Sequence, residues 1–224
     1  MMVIVSGVRY AYPSRRALGE VSLAFERGVH TAVTGTNGSG KSTLLALVAG
    51  VLRPQSGSVT LTTSRRPAFV IQHTRTSEIL PCTVRQTVEM GRWPHRSWLL
   101  PLGPRNRRIA RDAMERLGIS DLADRQLAGL SGGQRQRALI AQGLAQESDI
   151  LILDEPTAGL DTAAHRLIRL AVDEELLRGV TVIESSHSPE DIERADRVVT
   201  LEGGLVISDT GSVPRPAISA TLTS

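Results

Sequence analysis

The chain has 224 residues, 41% of them hydrophobic, which suits one domain of above-average size or a core carrying a small inserted subdomain. Twenty-six basic residues against 23 acidic ones leave a net charge of +3, too even a balance to argue for a nucleic-acid partner. The one cysteine, Cys82, excludes an internal disulfide and fits a reducing compartment, and no run approaches the roughly 18 apolar residues of a membrane-spanning helix. Residues 1–5 are apolar but lack the basic flank of a signal peptide. Any membrane role therefore needs a partner.

Residues 3–9 and 20–26 alternate apolar and polar, with Val21, Leu23 and Phe25 on one face and the turn residues Pro13, Ser14 and Gly19 between the two runs. This predicts an antiparallel pair of strands. Tyr12, between them, either stacks on a nucleobase or simply packs. Residues 30–35 predict a strand, 41–52 a helix ended by Arg53 and Pro54, and 57–62 with 67–72 a hairpin. From about 77 to 147 the periodicity is helical, best over 83–90, 106–117 and 132–147, which predicts a helical insertion in an α/β core. The core resumes at 149–153, a continuous apolar run of the kind found in parallel strands buried on both faces. A helix over 162–178, a strand at 180–183, a short helix at 189–195 and strands at 197–202 and 204–208 follow. Residues 209–224, with Pro214 and Pro216, carry no periodicity and are expected to form a loosely held tail.

The predicted strand at 30–35 runs into Gly35, Thr36, Asn37, Gly38, Ser39, Gly40, Lys41, Ser42 and Thr43, which fit G-x-x-x-x-G-K-[ST] ahead of a helix. Such a loop curls its backbone N–H groups around phosphate, and the helix points its positive dipole end at the same place. Lys41 then reaches the β and γ phosphates, and the Ser42 hydroxyl ligates the Mg²⁺ carried by the nucleotide. Lys41 is the only lysine beside 25 arginines. A compact ammonium suits the space between phosphate oxygens, where a planar guanidinium does not.

Further apolar runs stop at polar groups: 68–71 at Gln72, 150–153 at Asp154 and Glu155, and 180–183 shortly before His187. Ligands of α/β sheets bind beyond the carboxyl ends of the strands, so all these ends can share one site. Asp154 is placed to hold Mg²⁺, and Glu155 is a candidate general base for an attacking water. Gln72 can ligate the metal or orient water, and His187 can hydrogen-bond the γ-phosphate or Glu155. Leu130, Ser131, Gly132, Gly133 and Gln134 open another helix with a Ser cap and exposed N–H groups. It is either an ordinary cap or a second phosphate-ready end completed by another copy.

Taken in order, the phosphate loop, Gln72, Leu130–Gln134, Ile150–Glu155, Ala158-Gly159-Leu160-Asp161 and His187 resemble the nucleotide-binding subunit of an ATP-binding cassette (ABC) transporter, over about residues 3–208. The resemblance implies a RecA-like phosphate-loop NTPase core, an antiparallel β subdomain and the helical insertion. It implies a homodimer closing head to tail around ATP and Mg²⁺, each ATP held by one phosphate loop and by Ser131–Gln134 of the other copy. By the same resemblance, Tyr12 stacks on the base, Glu155 is the catalytic glutamate, Asp161 makes a contact across the dimer, and Gln72 links the Mg²⁺ to the membrane subunits. The partners implied are an integral membrane permease and a substrate-binding protein, with the subunit peripheral at the cytoplasmic face of the inner membrane. Two departures stand out: Ser188 where Asp is frequent, and Gln142-Gly143 where Arg-Ala is usual.

Within the family, 83–92 and 121–126 look most like subunits of zinc, manganese and iron-chelate importers, which points to zinc or manganese, with ferric siderophore or haem next. His73 and His95 lack partners at ligand spacing and are read as surface groups. Trp93 and Trp98 lie in a Pro-bounded loop that either seats a permease helix or packs within the insertion. Arg105, Arg107, Arg108 and Arg111 form a solvated helix face or meet lipid headgroups. Among rival readings, related cassettes act on DNA or ribosomes, but the chain has neither a coiled-coil insertion nor a second cassette. A lone kinase leaves Leu130–Gln134 unexplained, and the guanine-reading Asn-Lys-x-Asp motif of a GTPase is impossible with Lys41 the only lysine.

Overall fold

The computed structural model describes residues 1–71, 81–95 and 102–212; Gln72, His73, Trp98 and residues 213–224 lie outside them. A three-stranded antiparallel sheet has β1 (Val3–Tyr12) at its centre, flanked by β2 (Arg15–Phe25) and β4 (Ser56–Leu61). The second sheet includes β3 (His30–Thr34), β5 (Ala68–Val70), β6 (Ile150–Asp154), β7 (Thr181–Ser185), β8 (Arg197–Glu202) and β9 (Leu205–Asp209), in the order β5-β6-β7-β3-β8-β9. All neighbours in it pair in parallel except β8 and β9. The helices are α1 (Lys41–Val48), α2 (Val84–Met90), α3 (Pro104–Arg116), α4 (Gly132–Ala145), α5 (Thr162–Leu177) and α6 (Pro189–Arg194).

The apolar run of β6 is divided between two cores. Ile150 and Ile152 join Phe25, Leu44, Leu45 and Ile183 under the antiparallel sheet and α1, whereas Leu151 and Leu153 join Val84, Met114, Leu117, Ile140 and Ile168 under the other helices. Period-two alternation in a strand covered on both sides explains why no polar face appears in its sequence. The helices α2, α3 and α4 pack on one another between β5 and β6 in chain order.

The expected hairpin of 57–62 with 67–72 does not form. Its first half, β4, pairs with β1 in the antiparallel sheet, with Val3 opposite Leu61, while its second half, β5, pairs in parallel with β6, with Ala68 beside Leu151. The physical reason is burial: Ala68 and Val70 are buried against the helical core, whereas β4 is half-buried at best along its length. Helix α1 also ends earlier than expected, at Val48, ahead of a turn at Gly50.

Gly143, one of the two departures, has a packing reason. A Cβ there would lie 2.7 Å from Cγ2 of Val70, so glycine lets α4 settle on β5. Two arginines, Arg92 buried and Arg116 partly buried, tie the helical layer together. Arg92, 4% exposed, donates to Ala145 O at 2.6 Å, Glu147 Oε2 at 2.9 Å and Asn106 Oδ1 at 3.1 Å. Arg116 reaches from α3 to Glu174, Glu175 and the carbonyl of Ala171 on α5. Among the described residues no helix is long and apolar enough to cross a membrane.

Candidate nucleotide site

Three adjacent parallel strands end at one level. Ser185 on β7 pairs with Val33 of β3 on one side and Asp154 of β6 on the other. The phosphate loop, Asp154-Glu155 and His187 therefore leave the sheet at one edge, beyond the carboxyl ends of its strands.

The loop is built around close backbone approaches. Gly35 has φ +136°, and a Cβ on it would lie 2.0 Å from the carbonyl oxygen of Leu201. Gly40, at φ +106°, has Ala17 O 2.7 Å from its Cβ position. Lys41, 5% exposed, donates through Nζ to Gly35 O at 2.9 Å and Thr36 O at 3.2 Å, so the ammonium is folded back over its own loop. Burial lowers its pKa from 10.5, while the charges of Glu155 and Asp154 pull the other way. Ser39 Oγ is buried without a hydrogen-bond partner among the described residues, a donor in the loop suited to an anion.

Opposite the loop, Asp154 is 6% exposed and its Oδ1 accepts from Ser185 Oγ at 2.6 Å. Ser185 Oγ in turn accepts the Glu155 N–H at 2.9 Å. Glu155 holds φ +48°, a left-handed conformation unusual for a residue with a side chain, and Glu147 shares that value outside this edge. His187 Nε2 lies 3.2 Å from Glu155 Oε1. Ser42 and Asp154 each offer a hard side-chain oxygen, the donor type that suits Mg²⁺, which takes few protein ligands alongside nucleotide phosphates. No group of three or more His, Cys, Asp or Glu among the described residues is assembled to hold an ion alone.

The other expected residues are differently placed. Tyr12 is 37% exposed and stands edge-on to Tyr10, ring centroids 5.2 Å apart. Ser131 and Gln134 form a reciprocal capping box on α4: Gln134 N–H donates to Ser131 Oγ at 3.2 Å and Ser131 N–H to Gln134 Oε1 at 3.1 Å. Asp161 caps α5 by accepting the Ala164 N–H at 2.7 Å. The cap of α4 lies against the segment before Asp161, where a Cβ on Gly133 would be 3.3 Å from Leu160 Cδ2. Gln72 lies outside the described residues. Sequence reasoning missed Ser185, the hydroxyl joining Asp154 to Glu155; its only signal is its place at the end of an apolar run beside that edge.

The parallel sheet ending in a phosphate loop beside two acidic residues defines a phosphate-loop ATPase of the α/β class. A family model described as ABC transporter matches residues 18–158, more than half of the chain, and the chain belongs to that family. It is 34% identical over 235 residues to the zinc transport system ATP-binding protein TroB of Treponema pallidum, covering 99% of this chain and 88% of that protein. It is also 34% identical over 189 residues to the manganese transport system ATP-binding protein MntB of Listeria innocua, covering 82% and 79%. Against the phosphate import ATP-binding protein PstB 2 of Natronomonas pharaonis it is 34% identical over 223 residues, covering 91% and 78%. Among solved structures, a transporter described as of the metal-chelate type, in an inward-facing conformation, superposes with a TM-score of 0.81 at 30% identity, covering 94% of this chain and 83% of that one. The protein binds and hydrolyses ATP.

Proposed function

We propose that this ATPase powers import of a metal ion, zinc or manganese, through a separate integral membrane permease supplied by a substrate-binding protein. It works as a homodimer, peripheral at the cytoplasmic face of the inner membrane. The observation that carries the ATPase role is the common level of Val33, Ser185 and Asp154, which gathers the phosphate loop, Glu155 and His187. Support comes from relatives named for zinc and manganese transport and for phosphate and cobalt import; zinc and manganese come first because relatives named for them recur most often among these. The metal-chelate transporter favours a second reading, ferric siderophore or haem import by the same ATPase.

In this reading Gly35–Thr43 cradle the phosphates, with Lys41 turning from its own loop carbonyls to the β and γ oxygens. Ser42 and Asp154 would hold Mg²⁺, whose charge would offset that of the phosphates. Gln72 joins them by family resemblance. Glu155 takes the proton of the attacking water, and His187, whose Nε2 lies 3.2 Å from its Oε1, holds its carboxylate in place. Tyr12 stacks on the base. The core spans 3–208 with its helical insertion at about 77–147, followed by the tail.

Ser131–Gln134 and Asp161 serve the ATP of the other copy. Support comes from Gly132, where, its chain neighbours and own helix backbone apart, no atom of the described residues comes within 4 Å of a Cβ position. A glycine in a helix is about 1 kcal/mol less favourable than alanine, so with no intramolecular reason for it, the open space suits an approaching phosphate.

The test is to isolate the tagged Glu155→Gln chain from its native cells in mild detergent with ATP. Recovery of a polytopic membrane protein, with zinc or manganese uptake lost when that protein is deleted, is the expected result. Recovery of ribosomes, DNA or the chain alone would refute the importer.

A further inference from the structure

Behind the pair of Glu155 and His187 sits a buried carboxylate with no role in the chemistry above. Asp191, on α6, is 4% exposed. Its Oδ1 accepts from His165 Nε2 at 3.0 Å and Arg169 Nε at 2.9 Å, both on α5, and His165 Nε2 also lies 3.3 Å from Oδ2. Its Oδ2 accepts from Thr157 Oγ1 at 2.9 Å and Ser186 Oγ at 3.2 Å. Thr157 follows Glu155 by two residues, and Ser186 directly precedes His187. The Ser186 hydroxyl also accepts the Ser188 N–H at 3.0 Å, which closes the turn that presents His187. Burial alone would raise the Asp191 pKa, but the hydrogen bonds from His165, Arg169 and Thr157 outweigh it and hold the carboxyl below its ordinary 3.8.

We propose that Asp191 is a positioning residue for ATP hydrolysis: its carboxylate grips α5 and holds together the loop leaving Glu155 and the turn carrying His187. The spacing of Glu155 and His187 then depends on a group that touches neither. Asparagine in its place loses the charge that pairs with Arg169 and keeps one accepting oxygen; its amide meets the Thr157 and Ser186 hydroxyls only if both turn round to accept, so the grip on the two loops weakens. The inference rests on the reading of Glu155 and His187 as the hydrolytic pair.

The test is steady-state ATP hydrolysis by the full chain, with binding of a fluorescent ATP analogue measured in parallel, for wild type, Glu155→Gln, Asp191→Asn, Thr157→Val and Ser186→Ala. Asp191→Asn is expected to lower kcat about tenfold or more with KM for ATP within about twofold, the signature of a group that acts on the transition state. Thr157→Val and Ser186→Ala, which remove one hydroxyl each, are expected to lower kcat by roughly three- to tenfold. Thr157→Val combined with Asp191→Asn should cost less than the product of the two, because both break one contact. Should Asp191→Asn fail to fold, the two hydroxyl variants decide alone. Unchanged kcat in both of them, or a loss confined to KM, with Glu155→Gln inactive, overturns this inference alone. Wild-type turnover by Glu155→Gln overturns the site reading and this inference with it.

Discussion

Nε2 of His187 and Oε1 of Glu155 are 3.2 Å apart, held by segments that leave the neighbouring strands β7 and β6. Neither side chain belongs to the loop of residues 35–43, which joins β3 to α1. Removing the imidazole should therefore separate chemistry from binding. His187→Ala is expected to lower kcat by about 10²-fold, the lower end for loss of acid–base assistance, while ATP affinity stays near wild type. Steady-state hydrolysis beside fluorescent-nucleotide titration checks it, and a parallel loss of affinity would show that His187 binds rather than assists.

Lys41 is nearly buried, and burial lowers its pKa against the pull of Glu155 and Asp154. Its ammonium fits between the carbonyls of Gly35 and Thr36. Arginine keeps the charge but brings a planar fork into that space. Lys41→Arg is thus expected to weaken ATP binding by about tenfold or more, close to the effect of Lys41→Ala. Calorimetric titration with ATP checks it, and full affinity in Lys41→Arg would show that charge alone suffices.

Two glycine-to-alanine changes should fail in opposite ways. At Gly35 the new Cβ would meet Leu201 O at 2.0 Å with φ at +136°, so the loop must shift, and nucleotide binding should be lost in the isolated subunit. At Gly132 the Cβ enters open space, so the subunit should fold, gain up to about 1 kcal/mol in helix stability and bind ATP normally. Its hydrolysis should nevertheless fall, because the crowding arises only when a second copy closes. Thermal melts, ATP binding and turnover of the two variants separate these effects.

Arg197 joins three strands: it donates to both oxygens of Asp209 on β9 and to the carbonyl of Ala24 on β2. Hydrogen bonds from Arg197 hold the Asp209 pKa below 3.8 against partial desolvation, so the folded state binds this proton less readily than the unfolded chain. The stabilisation is fully present above pH 3.8 and is lost as pH falls through the folded value beneath it. Arg197 is buried and Asp209 is one-third exposed, so Arg197→Met should cost about 2 kcal/mol at neutral pH, less than for a fully buried pair. Urea unfolding at neutral and acid pH checks it: the difference from wild type should shrink at the acid end.

The phosphate loop, the Asp154-Glu155 pair and the cap at Ser131 were legible because their signals are local. Each is a short motif at the end of an apolar run or the start of a helix. The pairing of 57–62 and 67–72 was not legible, because the choice between a hairpin and separate sheets is made by partners far along the chain: Val3 for β4 and Leu151 for β5. Asp191 was hidden for the same reason. In the sequence it is one acid in a short exposed-looking helix, and only the fold brings Thr157, His165, Arg169 and Ser186 to it. Gly143, read as a departure from the family pattern, became intelligible once Val70 was found 2.7 Å from its Cβ position.

The most direct test of the proposed site is light scattering of the purified Glu155→Gln chain with and without ATP and Mg²⁺, with hydrolysis measured on the same sample. The expected result is a monomer that becomes an ATP-bound dimer without turnover, since loop 35–43 of one copy and residues 131–134 of the other then stay closed on intact nucleotide. A chain that stays monomeric with ATP bound would contradict the shared site, and one that hydrolyses ATP at the wild-type rate would contradict Glu155 as the base.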